Sequence, residues 1–260
     1  MRFTDKTILI TGGSGGMGAT MARRFASSGA KVVVCDLGEE AVAGAEKSLT
    51  DAGHDALGIV ADVTDESSMV AAVDATLDRF GSLDGLVTAA GIRQAATGFL
   101  DLDLTTWQLI QDVNVTGTFI SIRAAAPALI ASTGAIVTVS SVTATAARMN
   151  QSAYCTSKAA VLHLTKQVAL ELSPHRVRAN ALCPGVTMTP MIEQAMRTDG
   201  PTLLHDKLEG NLKDFRPGIP LGRLAEPDDQ AAAAEFLLSD DAAFITGTAI
   251  YVDGGVSMLG

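Results

Sequence analysis

Tyr154 and Lys158 stand four residues apart in the stretch Ser152-Ala-Tyr-Cys-Thr-Ser-Lys158. On a helix that spacing stacks the two side chains one turn apart on the same face. A phenol, with an ordinary pKa of about 10, is a poor base at neutral pH. An ammonium a few ångström away favours the phenolate and brings that pKa toward the working range. Thirteen residues before the tyrosine, Ser141 ends the apolar run Ala135-Ile-Val-Thr-Val-Ser-Ser141, which reads as a buried strand. A strand end and a helix start would then gather a hydroxyl, a phenol and an ammonium in one cleft, a set suited to moving a proton on or off the oxygen of an alcohol or ketone. Tyr-x-x-x-Lys alone is equally a surface helix pair, and its company elsewhere in the chain decides between the two.

That company begins at the amino terminus. The short apolar strand Lys6-Thr-Ile-Leu-Ile-Thr11 runs into Gly12-Gly-Ser-Gly-Gly-Met-Gly18 and then into the helix former Ala19-Thr-Met-Ala-Arg-Arg-Phe-Ala26. Strand, glycine turn and helix place a helix N-terminus, with free N–H groups and the positive end of its dipole, against a pyrophosphate. The run parses as Gly13-x-Gly15-x-x-Gly18, the dinucleotide fingerprint, and also as Thr11-Gly12-x-x-x-Gly16-x-Gly18. A second apolar run, Lys31-Val-Val-Val-Cys-Asp36, ends in an acid. An acid about 20 residues beyond such a loop bonds the ribose hydroxyls of NAD. Leu37, Gly38, Glu39 and Glu40 follow, and the glycine loop holds no Lys or Arg. A 2′-phosphate would meet like charge there, so the expected cofactor is NAD and not NADP.

With these residues the chain resembles the short-chain dehydrogenase/reductase family over nearly its whole length, from Thr11 to Gly255. The motifs are Thr11-Gly12-x3-Gly16-x-Gly18, Asp62-Val63, Ala90-Gly91, Asn114, Ser141, Tyr154, Lys158, and Pro184-Gly185 followed by Thr189-Pro190. The resemblance implies that Ser141 polarises the substrate oxygen and that Tyr154 is the general acid/base. It gives Lys158 two tasks, lowering the tyrosine pKa and binding the nicotinamide ribose, and makes Asn114 the holder of a water that links Lys158 to solvent. Cofactor contacts are implied for Gly12, Ser14, Gly16, Met17, Gly18, Asp36, Leu37, Asp62, Val63, Ala90, Gly91, Tyr154, Lys158, Pro184, Gly185, Thr187 and Thr189. Where the family has Asn-Asn-Ala-Gly, this chain has Thr88-Ala89-Ala90-Gly91, and Thr88 is expected to make the missing hydrogen bonds. Thr187 replaces the more usual Val or Ile, at a position read as a backbone contact.

Composition narrows the class further. A formal charge of −10 argues against a nucleic-acid surface. No apolar run in the sequence is expected to span a membrane, and no signal peptide is expected before the first strand. Cys35, Cys155 and Cys183 are odd in number and far apart, which suits a reducing cytoplasm and neither a disulfide frame nor a zinc site. The four histidines share no ligand spacing, and no metal is expected.

Stepping along the chain, apolar strands are predicted at 7–11, 31–35, 57–61, 84–89, 134–140, 177–182 and 248–252, with helical patterns between them. Alternation of this kind implies one α/β domain over residues 1–260, a Rossmann fold whose seven-stranded, doubly wound parallel sheet carries helices on both faces. Its ligand cleft lies at the carboxyl ends of the strands, where Gly12, Asp36, Ser141 and Pro184 all fall. The helices of 151–172 and around 229–238 are apolar beyond a single stripe; by the resemblance they are the interfaces of a homotetramer. Residues 186–220, long and without a predicted strand, read as a substrate loop. Arg93, Gln94, Arg148, Gln151, Val186 and Met191 are the candidate substrate contacts. The stretch from Arg148 to Tyr154, with Phe215-Arg-Pro-Gly-Ile-Pro-Leu-Gly-Arg223, is similar to 2,3-dihydro-2,3-dihydroxybenzoate dehydrogenases, and a guanidinium beside the tyrosine could grip a substrate carboxylate. The expected substrate is a secondary alcohol or ketone, including a cyclic alcohol, diol or hydroxy acid. Fold alone also permits a silent NAD(H) sensor or scaffold.

Overall fold

The computed structural model describes residues 1–198 and 203–259. In chain order the elements are β1 (Thr7–Thr11), α1 (Gly16–Ser27), β2 (Lys31–Asp36), α2 (Glu39–Asp51), β3 (Ala56–Val60), α3 (Glu66–Phe80), β4 (Gly85–Thr88), α4 (Leu104–Gln111), α5 (Gly117–Ser132), β5 (Ala135–Val139), α6 (Ser152–Leu172), β6 (Arg178–Pro184), α7 (Pro190–Thr198), α8 (Leu203–Glu209), β7 (Gly210–Asn211), β8 (Arg216–Pro217), α9 (Pro227–Leu238) and β9 (Ala249–Val252). Every predicted strand is present. The sheet runs β3-β2-β1-β4-β5-β6-β9, and each of its pairings is parallel.

Strand residues alternate between two cores. Ile8, Ile10, Val32 and Val34 face the side covered by Met21 and Phe25 of α1 and Leu237 of α9. Leu9, Val33, Leu86 and Ile136 face Met69 of α3 and Ile122 and Leu129 of α5. Burial on both faces explains why these strands read as continuous Val, Ile and Leu runs. The order reverses at β1, which pairs with β2 on one side and β4 on the other. A crevice opens at such a switch point beyond the carboxyl ends of the strands.

The helices and the segment after β6 refine the expectations. α4 and α5 are joined by a π-helical turn at Asp112–Thr116, and the resulting helix, Leu104–Ser132, is long and apolar enough to cross a membrane by length and composition alone. Asp112 and Arg123 interrupt the apolar pattern in the sequence without interrupting the helix. Residues 186–220, read as strandless, contain α7, α8 and the two-residue antiparallel ladder of β7 and β8; two residues are too few for a period to be read. In α9, Gln230, Ala231, Ala234, Glu235, Leu237 and Leu238 are buried within the monomer, and Ala232, Ala233 and Phe236 are partly exposed. On α6, Leu170 remains exposed.

Candidate active site

Parallel register brings the motifs together. Thr11 of β1 pairs with Cys35 of β2 and Thr88 of β4, and Val139 of β5 pairs with Leu182 of β6. The segments that follow these strands therefore open into one cleft.

The loop from Gly12 to Gly18 is shaped by close backbone approach. Gly12 has φ +66°, and a Cβ there would lie 2.7 Å from the Ala90 nitrogen. A Cβ on Gly18 would strike the Gly12 carbonyl oxygen at 2.1 Å. Gly15, the N-cap of α1, faces open space, and no side chain caps the helix. An uncapped helix N-terminus behind an open glycine turn fits the pyrophosphate of a dinucleotide. Asp36 closes the loop's far side: its carboxylate accepts from the Ser14 hydroxyl at 2.5 Å, the Ser14 N–H at 3.2 Å and the Leu37 N–H at 2.8 Å. Met17 packs against the core, whereas Leu37 is exposed at the rim.

Next in the cleft are the ends of β3 and β4. The Asp62 carboxylate accepts from the N–H and hydroxyl of Thr64, and Val63 is buried beside Gly117. The Ala90 N–H reaches the Thr11 hydroxyl at 3.4 Å. Thr88 does not make the bonds expected of it: its hydroxyl oxygen is buried and has no partner among the described residues. The Thr11 hydroxyl, on the neighbouring strand, serves Ala90 instead. Gly91 sits where a Cβ would meet Asn114 Oδ1 at 3.1 Å and Lys158 Nζ at 3.4 Å.

Asn114 occupies the π turn and is fully buried. It accepts from the Ile92 N–H at 2.8 Å and donates to the Ile92 carbonyl and the Ser157 hydroxyl, both at 3.0 Å. Its side-chain atoms thus tie the segment after β4 to α6.

Ser141, Tyr154 and Lys158 converge as the spacing predicts. Ser141 is 7% exposed and accepts from the Thr143 N–H at 3.2 Å. Lys158, 6% exposed, donates to the Val139 carbonyl at 2.9 Å and lies 5.8 Å from the centre of the Tyr154 ring. The electrostatics differ from the simple expectation. Burial pushes the phenol up to about 12, while its hydrogen bond with Ser141 pulls the other way. Burial also draws the amine down to about 8. For both groups desolvation of the charged form is the largest cause.

On the opposite wall, Pro184 ends β6, and the Gly185 N–H donates to the Val252 carbonyl at 3.0 Å. Thr187 bridges to Ala225 and accepts from Gln230 Nε2 at 3.2 Å. Thr189 reaches over the glycine loop, its methyl 3.7 Å from where a Gly16 Cβ would be. Val186 joins Met188, Leu204 and Leu208 around Val142, so the helical segment seats beside Ser141.

The six substrate candidates separate. Arg93 and Gln151 are partly buried near the cleft, Gln151 as the N-cap of α6. Arg148 is partly buried and donates to the Ala147 carbonyl at 2.9 Å. Met191 lies in α7, and its side chain falls outside the described residues. Gln94 departs from its expected place in the pocket: it is 1% exposed, and both ends of its amide bond to backbone. Two further residues were not singled out from sequence. Ser157 hydrogen-bonds the Tyr154 carbonyl at 2.7 Å. Arg216 of β8 comes close enough to Arg148 for the two cations to oppose each other. Ser157, three positions after the tyrosine, was within reach of helical spacing; Arg216 gave no signal, because its approach depends on the fold of residues 190–217.

A family model described as enoyl-(acyl carrier protein) reductase matches residues 12–257. The 2,5-dichloro-2,5-cyclohexadiene-1,4-diol dehydrogenase LinX of Sphingobium indicum is 39% identical, with 99% of this chain and 98% of that protein covered. The cis-4-hydroxycyclohexanecarboxylate dehydrogenase of Sinomonas cyclohexanicum is 36% identical, with 97% of each covered. A 3-ketoacyl-(acyl-carrier-protein) reductase from Brucella melitensis, solved with NADH, superposes with a TM-score of 0.86 at 35% identity, covering 98% of this chain and 99% of that one. Sheet order, cleft and full-length likeness agree: the chain belongs to the short-chain dehydrogenase/reductase family and is an oxidoreductase.

Proposed function

We propose that the protein is an NAD-dependent dehydrogenase that interconverts a ring-borne secondary alcohol and its ketone, with Tyr154 as general acid/base. The observation that carries this reading is the Lys158 amine 5.8 Å from the Tyr154 ring, beside the Ser141 hydroxyl. A nicotinamide held in the cleft supplies the hydride acceptor or donor. Ser141 holds the substrate oxygen by a hydrogen bond. Tyr154 takes the hydroxyl proton during oxidation as its own proton passes toward the Lys158 amine, and both transfers reverse during reduction. Asp36, with Ser14, favours an unphosphorylated adenosine ribose, which supports NAD.

An anionic group on the substrate is favoured by Arg148 and Arg216. Burial lowers the proton affinity of both guanidiniums, and Arg148 lowers that of Arg216 further, against the pull of Asp214 and Asp206. Arg216 Nε is buried without a partner among the described residues. A carboxylate would relieve both cations, and one relative is named for a hydroxycyclohexanecarboxylate. A cytoplasmic homotetramer fits the three free cysteines and the exposed Leu104, Leu109 and Phe119 along α4 and α5.

The test is an NAD-coupled absorbance screen over cyclic diols, hydroxy acids, steroids and simple secondary alcohols. Turnover of cyclic alcohols, strongest with the acidic ones, is expected. Tight NADH binding with no turnover of any alcohol or ketone would favour the silent sensor instead.

A further inference from the structure

The first turn of a helix leaves N–H groups without partners inside the helix. In α6 these belong to the segment that carries Tyr154, and the N-cap residue Gln151 supplies no side-chain bond. The acceptor comes from a distant segment. Gln94 Oε1 accepts from the Ala153 N–H at 2.9 Å and the Tyr154 N–H at 3.2 Å. Its Nε2 donates to the Asn150 carbonyl at 3.2 Å and the Thr97 carbonyl at 3.5 Å. The oxygen faces only donors and the nitrogen only acceptors, so a primary amide is matched at every position, with both its N–H groups used.

The Tyr154 peptide is held at its other end as well. Its carbonyl accepts from Ser157, which accepts from Asn114, which is bonded twice to Ile92. Ile92 and Gln94 lie in the same short segment after β4, directly beyond Gly91. That segment therefore fixes both the nitrogen and the carbonyl of the tyrosine.

We propose that Gln94 is a positioning residue that, as an N-terminal cap supplied from the segment after β4, sets where the Tyr154 phenol stands over the cofactor cleft. This rests on the reading of Tyr154 as the general acid/base. Gln94 touches no reacting atom; it acts through the helix. Methionine at this position fills similar volume but leaves two N–H groups without an acceptor. Glutamate keeps the acceptors, opposes the Asn150 and Thr97 carbonyls, and places a negative charge at the N-terminus of the helix that carries the phenol.

The test compares Gln94→Met and Gln94→Glu with the unaltered enzyme, using steady-state kinetics over a pH series and phenol absorbance titration. The chain has two tyrosines, Tyr154 and Tyr251, so the titration is made in a Tyr251→Phe background. Gln94→Met should lower kcat about 10- to 100-fold, the effect of a small misplacement, with KM for NAD within about twofold of the parent. Gln94→Glu should move the Tyr154 titration upward by about half a unit to one unit. Should Gln94→Met fail to fold, the titration of Gln94→Glu decides. Unchanged kcat in a folded Gln94→Met, or an unmoved phenol titration in Gln94→Glu, would overturn the proposal. An unaltered enzyme that turns over no alcohol would instead overturn the reading of Tyr154, while the titration would still report on Gln94.

Discussion

The Lys158 ammonium donates to the Val139 carbonyl at 2.9 Å, which pins the amine to the last residue of β5, two positions before Ser141. The strand that delivers the serine therefore also fixes the lysine, and α6 holds the tyrosine between them. Desolvation sets the protonation of this group, with the amine drawn down to about 8 and the phenol pushed up to about 12.

From that follows a pH dependence whose sign differs by direction. Oxidation needs a vacant proton site, so its kcat/KM should rise as pH increases through about 8, the value of the amine. Reduction needs the proton in place and should fall through the same range. Lys158→Met should move the oxidation limb upward, toward the phenol's own value near 12. Initial rates in both directions across a pH series check this; a limb that stays near 8 in Lys158→Met would assign it elsewhere.

Asp36 should set the choice of cofactor. Asp36→Ser removes the negative charge that would face a 2′-phosphate and releases Ser14. The ratio of kcat/KM for NAD to that for NADP should fall about 10- to 100-fold. Parallel assays with the two cofactors measure it.

Arg148→Ala should act on substrate charge. KM should rise about tenfold or more for a hydroxy acid, the loss of one charge-assisted contact, and stay nearly constant for a neutral cyclic alcohol. Equal effects on both would remove Arg148 from substrate recognition.

Stability should depend on the sheet core in the ordinary way. Leu9 is fully buried in β1 and packs with Val33, Leu86 and Ile136. Leu9→Ala should cost about 2–5 kcal/mol, read as a lowered urea midpoint with the cofactor absent.

Much of this was legible in the sequence because the strands are short, buried on both faces and closed by glycine or polar punctuation. Runs such as Lys31–Asp36 and Ala135–Val139 therefore declared themselves. Tyr154, Lys158 and Ser141 were legible because helical spacing and a strand end are local properties. Gln94 was not, since its partners lie in α6, far along the chain, and a glutamine in a loop looks like any solvated residue. Thr88 misled for the same reason: whether a strand threonine finds a partner depends on which groups the neighbouring strands bring beside it. The direction in which burial shifts Tyr154 and Lys158 was not legible, because attraction between them can be read from spacing, whereas their burial comes from the packing of α6 on the sheet.

Replacement of the phenol tests the account most directly. Tyr154→Phe removes one oxygen and leaves the ring, the lysine and the glycine loop in place. Oxidation of the best alcohol found by the NAD-coupled screen should fall at least about 100-fold, up to about 10,000-fold, the range of a lost general acid/base. NADH binding, followed by fluorescence titration, should hold within about twofold. Turnover within a few-fold of the unaltered enzyme, with binding intact, would contradict the account.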